Sequence, residues 1–212
     1  MYFRMLHDEA CGSVSYLLAD LDAGEAVLVD PRGTDAPVLL AMLDEHRLRL
    51  RWMLRTHEHD AALPPGERRA LQALQAPLIM HEAPHGAVAP AAPPVLPFGG
   101  EVIRVLATPG HTRGCLSFLW RDRLFCGSLL AVDACPFQPW PADPEALWDS
   151  VTQQVFTLPA ETLLFSGHAR AARAVSQVLE QRRTHPWFAH ATRDEFLARV
   201  ACLAAPPRDS AS

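Results

Sequence analysis

Two histidines one residue apart, His57 and His59, lie where a β-rich run of the sequence ends. A tight turn at this point can aim both imidazoles at one ion, and such an arrangement holds a metal with little loss of side-chain entropy. A single His-x-His pair is a weak indication, but three more polar segments also follow predicted strands, at residues 108–112, 126–128 and 166–168. Two of these segments contain a histidine. The sequence therefore predicts a metal site built from loops at one edge of a sheet.

The elements that must position these residues mix β-hairpins with longer crossover connections. Apolar runs bounded by Gly, Pro and Asp predict strands, and apolar residues three or four apart predict helices. Strands are predicted at residues 14–20, 25–30, 51–56, 78–81, 101–107, 115–120, 123–126 and 162–166. Helices are predicted at residues 39–47, 66–75, 143–158, 169–183 and 192–203. This order favours a sheet-rich core with outer helices over a doubly wound parallel sheet.

The composition is that of one globular domain spanning residues 1–212, with 49% hydrophobic and 20% charged side chains. The net charge is −5 and the basic residues form no run, which argues against a nucleic-acid partner. No uncharged stretch approaches the ~20 apolar residues of a membrane span, and the first residues lack the features of a secretory signal. We therefore expect a cytoplasmic protein with a small-molecule substrate and no membrane partner; assembly as a homodimer is left open.

The residue types that the sequence lacks exclude several reaction classes. All 19 basic residues are arginine, so Schiff-base chemistry and a phosphate-loop lysine are excluded. The five cysteines form no Cys-x-x-Cys pair, so neither a zinc ribbon nor a disulfide framework is indicated. We expect reduced thiols, with Cys115, Cys126 and Cys135 packed in the interior rather than acting as nucleophiles.

Several motifs together carry a resemblance to a known family. They are Tyr-Leu-Leu-Ala-Asp at 16–20, Glu-Ala-Val-Leu-Val-Asp-Pro at 25–31, Thr-His-x-His at 56–59, Pro-Gly-His-Thr-x-Gly-Cys at 109–115 and Phe-Thr-Leu-Pro at 156–159. From about Phe3 to Leu203 the chain resembles the metallo-β-lactamase superfamily. Within it, the similarity is greatest to the branch of persulfide dioxygenases and glyoxalase II-like thioester hydrolases. The resemblance implies an α+β fold, a four-layer αβ/βα sandwich with the metal at one edge of two sheets.

The chain also departs from the family's motifs. The motif His-x-His-x-Asp-His ends here in Ala61 and Ala62, so a second metal ion has lost its main ligands. The family's Gly-Asp after a later strand has become Gly-Ser, with Ser128 in place of the carboxylate, and its terminal Gly-His-Asp keeps only the glycine and His168. The following segment, which contacts glutathione in the persulfide branch, is contracted to residues 135–138. We therefore expect one metal ion at most and an altered substrate.

The resemblance points to a reduced set of metal ligands. His57, His59 and His111 match the ligand count of a catalytic zinc that holds a water and lowers its pKa to roughly 7. His168 is a further candidate ligand, and Asp60 is a candidate base or an out-of-register ligand. Because iron dioxygenases use two histidines and one carboxylate, one divalent ion is expected, zinc in preference to iron.

Three functions follow from this site. The first is hydrolysis of a small thioester or ester through metal-bound water. The alternative is a catalytically inactive relative, with an empty site, that serves in binding or regulation. A weaker alternative is a persulfide dioxygenase, for which Asp60 or Asp133 would have to supply the missing carboxylate.

Overall fold

The structure, a computed structural model, describes residues 1–58, 65–81, 95–131, 135–170 and 173–204. Its strands are β1 (Tyr2–His7), β2 (Val14–Asp20), β3 (Glu25–Val29), β4 (Arg49–Leu54), β5 (Leu78–Ile79), β6 (Val95–Phe98), β7 (Glu101–Ala107), β8 (Leu116–Trp120), β9 (Arg123–Gly127), β10 (Leu163–Arg170) and β11 (Arg173–Gln177). Its α-helices are α1 (Ala36–Glu45), α2 (Pro65–Gln72), α3 (Pro144–Asp149), α4 (Val178–Thr184) and α5 (Arg193–Ala204). A 3₁₀ turn (Gly33–Asp35) precedes α1, and π-helical turns (Ser150–Val155) continue α3.

The first five strands form one sheet in the order β1-β2-β3-β4-β5. Strands β1, β2 and β3 pair antiparallel, whereas β3, β4 and β5 run parallel. Strand β2 is buried on both faces. Tyr16 and Leu18 pack in one apolar cluster and Leu17 in another, on the opposite face of the strand. Such double burial requires a layer of structure on each side of this sheet.

The remaining strands form a second sheet in the order β11-β10-β9-β8-β7-β6. All of its pairs are antiparallel except β9 with β10. Each sheet therefore contains parallel neighbours, β3 with β4 and β9 with β10. Parallel strands end at the same edge of a sheet, so each pair brings two chain segments together where its strands end.

Three apolar clusters define four layers. The two sheets face each other across an aromatic-rich core that includes Tyr16, Phe118 and Phe125. Helix α1 covers the outer face of the first sheet, where Leu39 packs with Leu28. Helices α3 to α5 and the π-helical turns after α3 cover the second sheet through residues including Leu147, Val151, Val178 and Phe196. In the described part of the chain, no helix combines the length and apolarity needed to cross a bilayer.

The α+β class and the four-layer αβ/βα sandwich expected from the sequence are confirmed. The helix predicted to start at Asp143 is also present, because the Asp143 carboxylate accepts a hydrogen bond from the Ala146 amide, 3.0 Å away, and caps it.

The helix predicted at residues 169–183 is wrong over its first half. Residues 169–170 complete β10, residues 173–177 form β11, and α4 begins only at Val178. The Ala-rich and Arg-rich run favours a helix locally, but Leu164 pairs with Ser176 and Ala174 is buried in the core. Strands β1 and β6 were not predicted either, and both are edge strands. The edge position tolerates Pro97, which lacks an N–H to donate.

Candidate metal centre

The candidate ligands lie where the parallel strands of both sheets end. His57 lies three residues after the end of β4, and the amide of the preceding Thr56 donates to Asp30, which directly follows β3. Ser128 directly follows β9. His168 lies in the neighbouring strand β10, in its second half, where the pairing register becomes irregular. The Tyr16 hydroxyl of the first sheet donates to the Ser166 carbonyl of the second at 2.5 Å. This hydrogen bond fixes the end of β10 against the first sheet.

A chain of hydrogen bonds orients the His57 ring. The Asp30 carboxylate accepts from the Thr56 amide and from the Thr56 hydroxyl, each at 2.7 Å. The same hydroxyl lies 2.9 Å from Nδ1 of His57. Because the hydroxyl's one proton goes to Asp30, it accepts from Nδ1–H and leaves the Nε2 lone pair for the site. Burial raises the pKa of the Asp30 carboxyl, and this effect is larger than the opposing effect of the hydrogen bonds from Thr56, which lower the pKa.

Glycine at position 127 allows the two sheets to approach at this point. Gly127 has a φ of +55°, in the left-handed region that favours glycine. A Cβ here would lie 2.3 Å from the Thr56 hydroxyl oxygen and 3.1 Å from Nδ1 of His57. Any side chain would therefore disturb the hydrogen bonds that orient His57.

Ser128 links the histidines of the two sheets. Its hydroxyl oxygen lies 3.1 Å from Nδ1 of His168 and 3.4 Å from Nε2 of His57. Ser128 and His168 are both buried, and the two imidazole centroids are 6.2 Å apart. The serine that replaces the family's carboxylate thus lies between two candidate ligands.

Cys135 completes a three-donor group that the sequence did not predict. Its Sγ and one ring nitrogen each of His57 and His168 all lie within 4.8 Å of one another. Cys135 is 1% exposed, so the prediction of a buried thiol is confirmed. The thiol lies beside the two histidines of the candidate site. The one available signal was its place in the contracted segment after Ser128, and a loop gives no periodicity from which to predict a side chain's direction.

His111 lies beside this group without belonging to it. Its ring is fully buried, with its centroid 4.9 Å from that of His57. Nε2 of His111 lies 3.0 Å from the Gln138 carbonyl oxygen, and the Gln138 side chain donates back to the His111 carbonyl. The structure therefore brings His111 to the site but directs this nitrogen at the loop after Cys135, and its role as a ligand stays a prediction.

The other predicted site residues fall outside the described residues. His59, Asp60 and Asp133 are among them, as are the two alanines at 61 and 62. Their ligand and base roles stay predictions.

The described donors fit a divalent transition metal. Imidazole nitrogen and thiolate sulfur are the donors that zinc takes in proteins, and three protein ligands leave one position open for a reactant. None of the five cysteines, all of which lie in described residues, forms a disulfide, so the Cys135 thiol is chemically able to ligate. Burial of all three side chains, partial for His57, limits competition from bulk water.

Comparison with solved structures defines the class of protein. The chain superposes on the crystal structure of ETHE1 from Myxococcus xanthus with a TM-score of 0.82, at 32% identity over 98% of this chain and 93% of that one. It also superposes on a metallo-β-lactamase from Staphylococcus aureus with a TM-score of 0.77, at 21% identity, which indicates the fold alone. The protein has the metallo-β-lactamase fold.

Comparison with curated proteins places the chain within its family. No protein-family model matches it. The human protein named persulfide dioxygenase ETHE1, mitochondrial, is 30% identical over 200 residues, 86% of this chain and 74% of that protein. A hydroxyacylglutathione hydrolase of Anaeromyxobacter dehalogenans is 33% identical over 162 residues, 74% of this chain and 62% of that protein. The chain belongs to the metallo-β-lactamase superfamily, with persulfide dioxygenase and glyoxalase II homologues.

Proposed function

We propose that the protein is a metal-dependent hydrolase of a small thioester or ester. One observation carries this proposal: the described donor group consists of His57, Cys135 and His168 and contains no carboxylate. Nitrogen and sulfur donors favour zinc, a metal without redox chemistry that serves hydrolysis. The similarity to hydroxyacylglutathione hydrolases supports the thioester class.

The roles of the chain's own residues follow from their contacts. When bound, the metal supplies a Lewis acid that polarises a carbonyl and lowers the pKa of a water molecule to roughly 7. Asp30 and Thr56 hold the His57 ring in the tautomer that presents Nε2 to the site. The Ser128 hydroxyl orients the His168 ring through Nδ1. Asp60 is proposed as the base that accepts the proton of the attacking water.

Persulfide dioxygenation is the second candidate, and the similarity to proteins named ETHE1 favours it. Iron oxygenases of this type use two histidines and one carboxylate. In the described group the third donor is a thiol and Ser128 contributes a neutral hydroxyl, so the carboxylate would have to come from Asp60 or Asp133. We therefore place this function behind hydrolysis.

A paired assay separates the two candidates. Purified protein is given a panel of short acyl thioesters and aryl esters, and thiol or phenol release is followed by absorbance. We expect the wild type to hydrolyse at least one of these substrates, to lose the activity after chelator treatment and to regain it when zinc is added. His57→Ala should be inactive. His190→Ala, which alters an exposed histidine, should keep the activity.

The same preparations are tested for oxygen uptake with glutathione persulfide and added iron. We expect little or none. Robust iron-dependent uptake without ester or thioester hydrolysis would contradict the proposal in favour of dioxygenation. Failure of both reactions in metal-loaded protein would contradict it in favour of a non-catalytic relative.

A further inference from the structure

Among the described residues, the donor group of the site contains no carboxylate, and a buried cysteine lies beside its two histidines. Ser128 offers only a neutral hydroxyl between the two imidazoles. A divalent ion held by neutral histidines alone would bring its full double charge into a buried setting, which is costly. The Cys135 thiol, 1% exposed and beside both rings, becomes an anion when it binds a metal.

Cys135 differs in its surroundings from the chain's other buried cysteines. Sγ of Cys115 accepts from the Thr112 amide at 3.2 Å, and the Cys126 thiol donates to the Phe165 carbonyl at 3.5 Å. Burial raises the pKa of Cys115 to about 11 and that of Cys126 to about 12, as expected for thiols that stay protonated in the core. Cys135 alone among the described cysteines is grouped with imidazole nitrogens.

The spacing of the three donors suits a small cation. Donors bound to zinc at about 2.0–2.3 Å lie about 3.3–3.8 Å apart when arranged tetrahedrally. The described atoms lie within 4.8 Å of one another, so they need to move closer by only about 1 Å to reach this spacing. The left-handed Gly127 and the bond between Tyr16 and Ser166 already fix the backbones that carry the histidines.

We propose that Cys135 is a metal ligand and that its thiolate, with His57 and His168, forms a two-nitrogen, one-sulfur site that replaces the lost carboxylate. Because a thiolate is a soft ligand, this site selects zinc over iron. The inference rests on the metal binding within the proposed function and not on hydrolysis. A chain that hydrolyses nothing can therefore still bind metal through Cys135.

Cobalt(II) is the direct probe, because a cobalt–thiolate bond gives an intense charge-transfer absorption in the near ultraviolet that nitrogen and oxygen ligands do not give. Metal-free protein is titrated with cobalt(II) without air. The background is Cys11→Ser with Cys202→Ser, which removes the two exposed thiols and leaves the buried ones. We expect the charge-transfer band to saturate at one cobalt per chain. Cobalt-saturated protein without this band would overturn the proposal.

Two substitutions at position 135 identify the sulfur and separate its effects. Cys135→Ser should lose the band and bind cobalt more than about tenfold more weakly. Even the loss of a residue that only hydrogen-bonds to a metal ligand lowers metal affinity by about tenfold or more. Cys135→Asp should lose the band but keep tighter binding than Cys135→Ser, because it restores the charge without the sulfur. The control Cys126→Ala should keep the band, provided that circular dichroism reports folded protein.

Each outcome of the titration decides one of the two proposals. A band that persists in Cys135→Ser would overturn the assignment, as would failure of the background protein to bind cobalt. If Cys135→Ser does not fold, the spectra of the background protein and of Cys135→Asp still test whether Cys135 is a ligand, since the first should show the band and the second should lack it. A normal cobalt spectrum in a protein that hydrolyses no substrate would contradict only the proposed function.

Discussion

The hydroxyl of Ser128 lies between two imidazoles, where a charged oxygen would attract a cation more strongly. Its contacts at 3.1 Å to His168 and 3.4 Å to His57 make it the described side chain best placed to test the site's charge. Coulomb attraction between a carboxylate and a divalent ion at such distances is large when both are buried. A substitution at this position should therefore act on metal affinity.

Ser128→Asp should raise zinc affinity, because it restores a carboxylate where the family has one. Isothermal calorimetry on metal-free protein measures the change. Ser128→Asn is the matched control, with nearly the same shape and no charge, and should bind zinc no more tightly than the wild type. Equal affinities of the Asp and Asn variants would contradict an electrostatic role for this position.

The residues of the site differ in how far the sequence could predict them. His57 and His168 follow predicted strands and belong to spaced motifs, so their approach to one another could be predicted. The place of Cys135 beside the two histidines could not be predicted, because no pattern in a loop indicates which way a side chain points. The contact of His111 with the Gln138 carbonyl was equally hidden, since it joins residues far apart in the chain.

At the scale of elements, the site depends on how closely the ends of β4 and β9 approach. Gly127 makes this approach possible, because its Cα lies where a side chain would strike Thr56. The sequence indicated both strands through their apolar runs. The sequence did not predict β11, because its residues favour a helix locally. Pairing with β10 stabilises this strand, and such pairing cannot be read from the residues of the strand itself.

Gly127→Ala should destabilise the protein by about 1–2 kcal/mol or more, since an L-residue in the left-handed region costs that much before any clash. Zinc affinity should fall with it, because the displaced Thr56 no longer orients His57. Urea unfolding of metal-free protein measures the first effect and calorimetry the second.

Gly66→Ala is the matched control for that change. Gly66 lies in α2, and a Cβ there would meet nothing within 4 Å. Replacing it should stabilise the protein by about 0.5–1 kcal/mol, since alanine loses less entropy in a helix. If Gly127→Ala behaved like Gly66→Ala in both measurements, the account of the strand ends would be wrong.

For the whole molecule, the site exists only when the two sheets are packed together. The first sheet supplies His57 with Asp30 and Thr56, and the second supplies Ser128 and His168. The buried Tyr16, whose pKa burial raises, joins them through its bond to the Ser166 carbonyl. The chain's periodicity predicted a sheet-rich core with outer helices, and the family resemblance of its motifs implied this sandwich. Side-chain packing across the sandwich decides where the donors meet.

The metal content of protein purified without chelator, measured by plasma mass spectrometry, tests whether the site holds a single ion. We expect one transition metal per chain, with zinc in excess of iron, and we expect it to be lost in His57→Ala but not in His190→Ala. Two metals per chain, no metal in zinc-supplemented preparations, or unchanged content in His57→Ala would contradict this expectation.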